Sequence, residues 1–146
     1  MNVMYNVILV LLLTLTVSFS SNAEWKYIGV NITGTSFYVD DTSIKPLKDK
    51  LIFRQLQNKK KPDKWGSLST VVNKQLDCRR NFFRILSFEF YFGSMGTNFE
   101  KKVSASDQSW KINSKKSMNK IVFDYVCNKK SINNINKFKL PNCNTN

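Results

Sequence analysis

The 146-residue chain contains no histidine, and this absence excludes several large classes of site. Histidine is the commonest general base near neutral pH, so Ser–His and Cys–His nucleophile pairs and the usual histidine metal sites are ruled out. The adjacent carboxylates Asp40 and Asp41 sit in a turn-like Asp-Asp-Thr-Ser run, where capping of the backbone is the expected role. The sequence therefore predicts a protein that is not an enzyme and that uses no cofactor and no metal.

Acidic residues are scarce. The chain has 10 Asp+Glu against 23 Lys+Arg, which gives a formal net charge of +13. A field of this size attracts polyanions such as acidic glycans, lipopolysaccharide or anionic headgroups. The alternative is compositional, because the lysines far outnumber the arginines, as an AT-rich coding sequence produces without selection for binding. Both interpretations of the charge stay open at this level.

The basic residues form two candidate polyanion-binding groups. One is a loop cluster with a tryptophan beside it, and the other is an arginine pair. These candidates are Lys59, Lys60, Lys61 and Lys64 in the loop, and Arg79 and Arg80 in the pair. We expect a protein or an acidic polymer (a glycan or lipopolysaccharide) as the partner, and no nucleic acid, since no recognised nucleic-acid module is present.

Long hydrophobic runs are absent except at the N-terminus. Residues Met1–Ala23 carry no charged side chain, and their apolar centre, Val7–Phe19, is too short to cross a bilayer comfortably. Small residues before Glu24 predict a signal peptide over 1–23 and no membrane span after cleavage. The alternative is an uncleaved anchor, because this segment lacks Lys and Arg. The expected location is outside the cytoplasm, in the periplasm or at the cell surface.

Only three cysteines are present, and in an exported chain they are candidates for disulfide bonding. Cys78 and Cys127 each end an apolar-patterned segment, whereas Cys143 lies in the polar sequence PNCNTN. These positions predict a Cys78–Cys127 bridge. The alternative is two buried free thiols.

The remaining pattern predicts a single α+β domain, in which an antiparallel β-sheet meander packs against a C-terminal α-helix. Met118, Ile121, Val122, Tyr125 and Val126 follow the spacing of an amphipathic helix with Ser114 or Ser117 as N-cap, although a strand through Ile121–Cys127 competes. Short runs rich in aromatic and β-branched residues predict strands at Glu24–Val30, Ser36–Val39, Lys50–Gln57, Ser69–Cys78, Asn81–Phe92, Asn98–Val103 and Trp110–Asn113. A polar Lys/Asn-rich tail is expected over 129–146.

The longest predicted strand carries an aromatic stripe. Its residues Phe82, Leu86, Phe88, Phe90 and Phe92 share one face by strict alternation, with Arg84 as a polar exception on that face. Glu89 falls on the opposite face. The pattern predicts that this stripe faces the core of the domain.

Several of these elements, in this order, resemble the surface-adhesin protein E family of small exported bacterial proteins. The resemblance covers about 24–128, nearly all of the predicted mature domain. The residues that carry it are Trp25 with Ile28-Gly29, Tyr38-Val39-Asp40, Ser43-Ile44, Asp77-Cys78, Arg79, Arg84, Tyr91, Met95-Gly96, Trp110-Lys111-Ile112, Ser117 and Tyr125-Val126-Cys127.

The resemblance implies an antiparallel sheet packed on a helix, a structural cysteine pair and no catalysis. It also implies binding, since the named members of the family bind host extracellular-matrix and serum proteins. This chain differs from a lipid-anchored adhesin in lacking a cysteine near the predicted cleavage site. The expected function is therefore an exported binding protein for host or envelope macromolecules. The alternative is a structural, self-associating periplasmic protein, for which a homodimer is plausible because sheet edges are exposed.

Overall fold

The structure is a computed structural model that describes the backbone of residues 23–138 and the side chains of residues 23–129. The predicted signal peptide lies outside the described residues except for Ala23. Cys143 and the rest of 139–146 also lie outside them. No helix in the described part of the chain is long and apolar enough to cross a membrane.

Within residues 23–138 the fold consists of eight strands and one long helix, and the sequence predicts the helix and seven of the strands. The helix, α1, spans Met118–Phe138, so the competing strand prediction for its first part is wrong. The strands are β1 Trp25–Val30, β2 Ser36–Asp40, β3 Lys45–Leu47, β4 Lys50–Asn58, β5 Ser69–Asp77, β6 Phe82–Tyr91, β7 Phe99–Ser104 and β8 Lys111–Ile112.

All the strands belong to one antiparallel sheet with the order β1-β2-β4-β5-β6-β7. The short strand β3 pairs with β4, and β8 pairs with β6. This order is the predicted meander, in which successive long strands are neighbours. The β1–β2 and β4–β5 connections lie at one end of the sheet, and the β5–β6 connection lies at the other end.

Helix α1 covers one face of the sheet, which we call the helix face. The hydroxyl of Ser117 accepts a hydrogen bond from the backbone N–H of Lys120, so Ser117 is the N-cap. Apolar side chains of the helix and of the central strands form the core. These core residues are Phe37, Val39, Leu51, Phe53, Leu76, Phe83, Val122, Phe123 and Val126.

Two further contacts fix the helix to the sheet. Cys78 and Cys127 form the predicted disulfide, with a Cα–Cα distance of 5.8 Å. The hydroxyl of Tyr125 donates hydrogen bonds to the carboxylate of Asp41, which also pairs with Lys129. Asp41 lies in a short 3₁₀ turn that Asp40 caps by accepting from the N–H of Thr42.

The prediction that the aromatic stripe of β6 shares one core-facing side is wrong for Phe82 and Leu86, which lie on the face away from the helix. A β-bulge shifts the β5–β6 register between Asn73 and Lys74, which pair with Ser87 and Ile85, so Leu86 has no opposite residue. An extra residue reverses the alternation of side chains along the rest of the strand. Phe83 and Ile85 consequently pack into the core on one side of the bulge. Beyond it, Phe88 and Phe90 point to the helix face, as the pattern predicted, because they pair with Val72 and Thr70.

The same bulge corrects the relation between Arg84 and Glu89. Arg84 pairs with Gln75 and Glu89 pairs with Val71, and these two β5 positions share one face of that strand. Arg84 and Glu89 therefore both point to the face of the sheet opposite the helix, which we call the open face.

Two elements were not predicted from the sequence. Strand β3 contains Pro46, which is tolerated because β3 is a short strand at the edge of the sheet. Helix α1 continues ten residues beyond Asn128, into the segment predicted as a polar tail. In that segment Ile132, Ile135 and Phe138 continue a three-residue spacing that suits a helix.

Candidate binding surface

The two predicted basic groups lie at opposite ends of the sheet. Residues 59–64, which we call the basic loop, precede β5, and the Arg79–Arg80 pair follows it. Nine residues of extended strand separate the two groups by roughly 30 Å. They cannot form one continuous patch, so each has to be considered as a separate site.

Within the basic loop, the four lysines differ in their contacts. Lys59 pairs with Asp63 at 2.7 Å and also reaches the hydroxyl of Thr70, so it stabilises the loop itself. The hydrogen bond from Lys59 lowers the pKa of the Asp63 carboxyl below its usual range. Lys60 and Lys61 are exposed. Lys64 lies over the ring of Trp65, with its ammonium 4.3 Å from the ring centroid.

In the second basic group, Asp77 neutralises Arg80. Its carboxylate accepts a hydrogen bond from Arg80 at 2.6 Å and pairs with Lys50 at 3.1 Å. Burial alone would raise the pKa of Asp77, but the hydrogen bonds from Arg80 and Lys50 hold it well below its usual range. Of the pair, only the side chain of Arg79 has no partner among the described residues.

The acidic residues of the described chain are almost all neutralised. Each one except Glu24 forms at least one ion pair with a lysine or arginine; the set is Asp40, Asp41, Asp49, Asp63, Asp77, Glu89, Glu100, Asp107 and Asp124. The unpaired lysines and arginines therefore set the sign of the surface field. Apart from the buried Lys74, they are Lys26, Lys45, Lys48, Lys60, Lys61, Lys64, Arg79, Arg84, Lys115 and Lys116.

A polar network around Glu89 occupies the open face, and the sequence pattern did not predict it. Glu89 is only 9% exposed, and its carboxylate meets Arg54 at 3.0 Å, Asn73 at 3.0 Å and Lys102 at 3.1 Å. Tyr91 adds a hydrogen bond of 2.9 Å. Burial would raise the pKa of Glu89, but the bonds from Asn73, Lys102 and Tyr91 lower it to about 2. The network joins strands β4, β5, β6 and β7 through one buried charge.

An apolar cleft lies on the helix face of the sheet, in an area that no described residue of the helix lines. Its volume is about 220 Å³, and it is lined by Trp65, Phe90, Glu100, Lys101 and Val103. The side chain of Trp65 is 63% exposed, and Val103 is 40% exposed. The cleft adjoins β7, whose outer edge has no partner strand among the described residues, so it offers apolar surface beside an exposed strand edge.

Among the described residues, no group of three or more His, Cys, Asp or Glu side chains is placed to hold a metal ion. The arrangement that is present consists of cations, aromatic rings and a sheet face, which can bind a partner by charge and by contact area.

The comparisons with known proteins agree with the fold. A crystal structure of Haemophilus influenzae protein E (crystal form II) is similar, with a TM-score of 0.54 and 15% sequence identity over 80% of this chain and 99% of that chain. A structure of protein E from non-typeable Haemophilus influenzae has a TM-score of 0.51 and 12% identity, over 80% of this chain and 84% of that chain. At these identities the likeness shows the fold alone.

No curated protein sequence matches the chain. Residues 25–128 match the family described as Surface-adhesin protein E. This match covers all eight strands, the disulfide and the first half of the helix. The chain therefore belongs to the Surface-adhesin protein E family, a family of adhesins and not of enzymes.

Proposed function

We propose that the protein is an exported, non-enzymatic adhesin that binds a host or envelope macromolecule through its positively charged surface. The observation that carries this proposal is the neutralisation of the acidic groups. Because nearly every described carboxylate already has a cationic partner, the remaining cations present a field of one sign. The family supports adhesion as the general role, and the charge supports an acidic polymer or an acidic protein surface as the partner.

The basic loop is the first contact site to test. Lys60 and Lys61 are exposed and make no ion pair among the described residues, and Trp65, in the same β4–β5 connection, is 63% exposed. The loop also encloses a depression of about 390 Å³ lined by Thr33, Thr35, Lys59, Lys60, Lys61 and Asp63. Cations around a concave surface favour an anionic partner.

The test measures binding of the exported chain to immobilised acidic polysaccharide and to extracellular-matrix protein at about 0.05 M and about 0.5 M NaCl. We expect binding at low salt that weakens several-fold at high salt. A Lys60→Glu/Lys61→Glu variant should bind about tenfold more weakly, whereas Lys115→Glu/Lys116→Glu, with the same change in net charge, should keep most of the binding. Equal losses in both variants would show that net charge acts without this site, and absence of any salt-sensitive partner would contradict the proposal.

The location is tested by fractionation. An exported adhesin should be found at the cell surface or in the medium after expression of a C-terminally tagged chain. A strictly periplasmic pool would instead favour a structural role in the envelope.

Self-association is the second candidate function, and the apolar cleft beside β7 favours it. An exposed strand edge and exposed aromatic side chains are the usual elements of a contact between copies. Analytical ultracentrifugation of wild type and of a Trp65→Ser/Val103→Ser variant tests this candidate. A concentration-dependent dimer that the variant loses would support it, and a monomer at all concentrations would exclude it. Parallel non-reducing gels of a Cys143→Ser variant would reveal a dimer linked through that cysteine.

A further inference from the structure

A second depression lies on the open face of the sheet and shares none of its described lining residues with the depression at the basic loop. Its volume is about 230 Å³, and the β-bulge of β6 contributes to its shape by placing the unpaired Leu86 beside Asn73. The side chains that line it belong to five segments of the chain. They include Ser43, Lys45, Ile52, Arg54, Asn73 and Leu86.

A row of directly paired residues crosses the open face along one margin of this depression. Lys45 pairs with Ile52, Ile52 with Gln75, and Gln75 with Arg84. Residues paired in this way point to the same face of a sheet, and neighbouring strands lie about 4.8 Å apart. The row therefore spans roughly 14 Å, with a cation at each end.

Neither end of the row is neutralised. Lys45 is exposed and has no ion pair or hydrogen bond among the described residues. Arg84 is held in place, because its Nε donates to Gln75 Oε1 at 2.7 Å and its guanidinium lies 4.9 Å from the ring centroid of Trp110. Its terminal N–H groups have no partner within residues 23–129. They form a fixed fork of the kind that suits a carboxylate or sulfate group.

The middle of the depression has no net charge. Arg54 is neutralised by Glu89 at 3.0 Å and Asp40 at 3.6 Å. The amide nitrogen of Asn73 is used by Ser87 and Glu89, which leaves its Oδ1 as an acceptor without a partner in the described structure. Ile52 contributes an apolar floor. The depression thus combines an apolar floor and a neutral acceptor with two cations: Lys45 lines it, and Arg84 lies beside it.

We infer that this depression binds an acidic polysaccharide. A pyranose ring lies on the floor formed by Ile52 and Leu86, a ring hydroxyl donates to Asn73 Oδ1, and carboxylate or sulfate groups meet Lys45 and Arg84. The separation of the two cations by a neutral centre favours a polymer with spaced charges over a compact anion such as phosphate. This inference rests on the proposed function, since it names a ligand class and a second site for the same adhesive role.

The experiment measures the affinity of the exported chain for three oligosaccharides of equal length by calorimetry. A hyaluronan oligosaccharide carries carboxylates only, a heparin oligosaccharide adds sulfates, and a chitin oligosaccharide is neutral. Each is measured with wild type, Lys45→Ala, Arg84→Lys, the basic-loop variant Lys60→Glu/Lys61→Glu and the control Lys116→Ala. Amide NMR spectra confirm that every variant is folded.

We expect one or both acidic oligosaccharides to bind, and the neutral one to bind at least tenfold more weakly. Lys45→Ala should weaken binding about threefold to tenfold. Arg84→Lys should have a similar effect, because it keeps the charge but loses the forked guanidinium. Lys116→Ala should leave binding unchanged. Binding of hyaluronan would identify carboxylates as sufficient, and binding of heparin alone would identify sulfates.

The inference is overturned if the acidic sugars bind but only the basic-loop variant weakens them, a result that leaves the proposed function intact. It is also overturned if the neutral oligosaccharide binds as tightly as the acidic ones. A third contrary outcome is that poly-glutamate competes for the site at Lys45 and Arg84 at a lower concentration than the acidic oligosaccharides do. Failure of wild type to bind any acidic polymer or matrix protein would overturn the proposed function as well.

Discussion

The ammonium group of Lys74 lies 2.9 Å from the side-chain oxygen of Asn119, and this contact joins the centre of the sheet to the first turn of the helix. Lys74 is only 4% exposed. The groups that face it are Gln55 Oε1 from β4 at 2.8 Å, the ring of Phe83 from β6 and Asn119 from α1. No acidic side chain pairs with it among the described residues, so burial lowers the pKa of Lys74 to about 7.

Stability should therefore rise with pH above neutrality. The unfolded chain keeps Lys74 protonated up to its ordinary pKa near 10.5, whereas the folded chain releases that proton above about 7. Because the unfolded state binds more protons in this window, the free energy of unfolding increases between pH 7 and pH 10, by at most about 4 kcal/mol. Urea unfolding at several pH values measures this rise.

The matched variant is Lys74→Met, which keeps much of the side-chain volume without the charge. Its free energy of unfolding should change much less over the same pH range. A control, Lys26→Met, removes an exposed lysine of β1 and should retain the wild-type slope. If Lys74→Met and wild type show the same slope, the ammonium of Lys74 is not responsible.

Lys74 also illustrates what sequence patterns could not provide. Nothing local distinguishes it from the other lysines of the chain, since its burial follows from the packing of β5 under the helix. The open-face site depends on the bulge at Leu86, and strict alternation placed Arg84 and Glu89 on opposite faces. A single extra residue in one strand leaves no clear signal in the local sequence, yet it changes which face of the sheet the following side chains point to.

Other features were predictable because their causes are local. The spacing of Met118, Val122 and Val126 predicted the helix face, and the structure selects Ser117 from the two predicted N-caps. The positions of Cys78 and Cys127 at the ends of apolar segments predicted the bridge. Neutralisation of the acidic groups was predictable only in part. Asp63, Asp107 and Asp124 each have a lysine partner four residues away. Asp40, Asp41 and Glu89 instead meet cations that are far away in sequence.

Glu89 should contribute to stability at neutral pH and lose that contribution in acid. Its folded pKa of about 2 lies below the usual value of 4.5, so the unfolded state binds more protons as the pH falls through this range. We expect wild type to lose about 1–2 kcal/mol between pH 5 and pH 2 from this group, after allowance for partial solvent screening. Urea unfolding as a function of pH gives the measurement.

Glu89→Gln should be less stable than wild type at pH 7 and should approach it at pH 2. Glu24→Gln is the control, because Glu24 is exposed and forms no ion pair in the described structure. A stability difference between Glu89→Gln and wild type that does not change with pH would contradict the assigned charge state.

Gly93 is required by the turn that follows β6. A Cβ atom at this position would lie 2.9 Å from the carbonyl oxygen of Thr97, which accepts the N–H of Gly93, and closer still to the Thr97 hydroxyl. Gly93→Ala should therefore destabilise the protein by about 1–3 kcal/mol. Thermal unfolding measures the loss, and Gly93→Ala/Thr97→Ala should recover only part of it because the carbonyl remains. Full recovery would show that the hydroxyl alone makes the clash.

The disulfide should contribute more to stability than any single contact described above. Cys78 and Cys127 are 49 residues apart, and closing a loop of that length lowers the entropy of the unfolded chain by an amount worth about 4 kcal/mol. The double variant Cys78→Ser/Cys127→Ser should lose about this free energy of unfolding, whereas Cys143→Ser keeps the bridge and should match wild type. Reductant should destabilise wild type and Cys143→Ser equally, and it should leave the double variant unchanged. A double variant as stable as wild type would mean that helix packing alone holds α1 on the sheet, and that the bridge contributes little to folding.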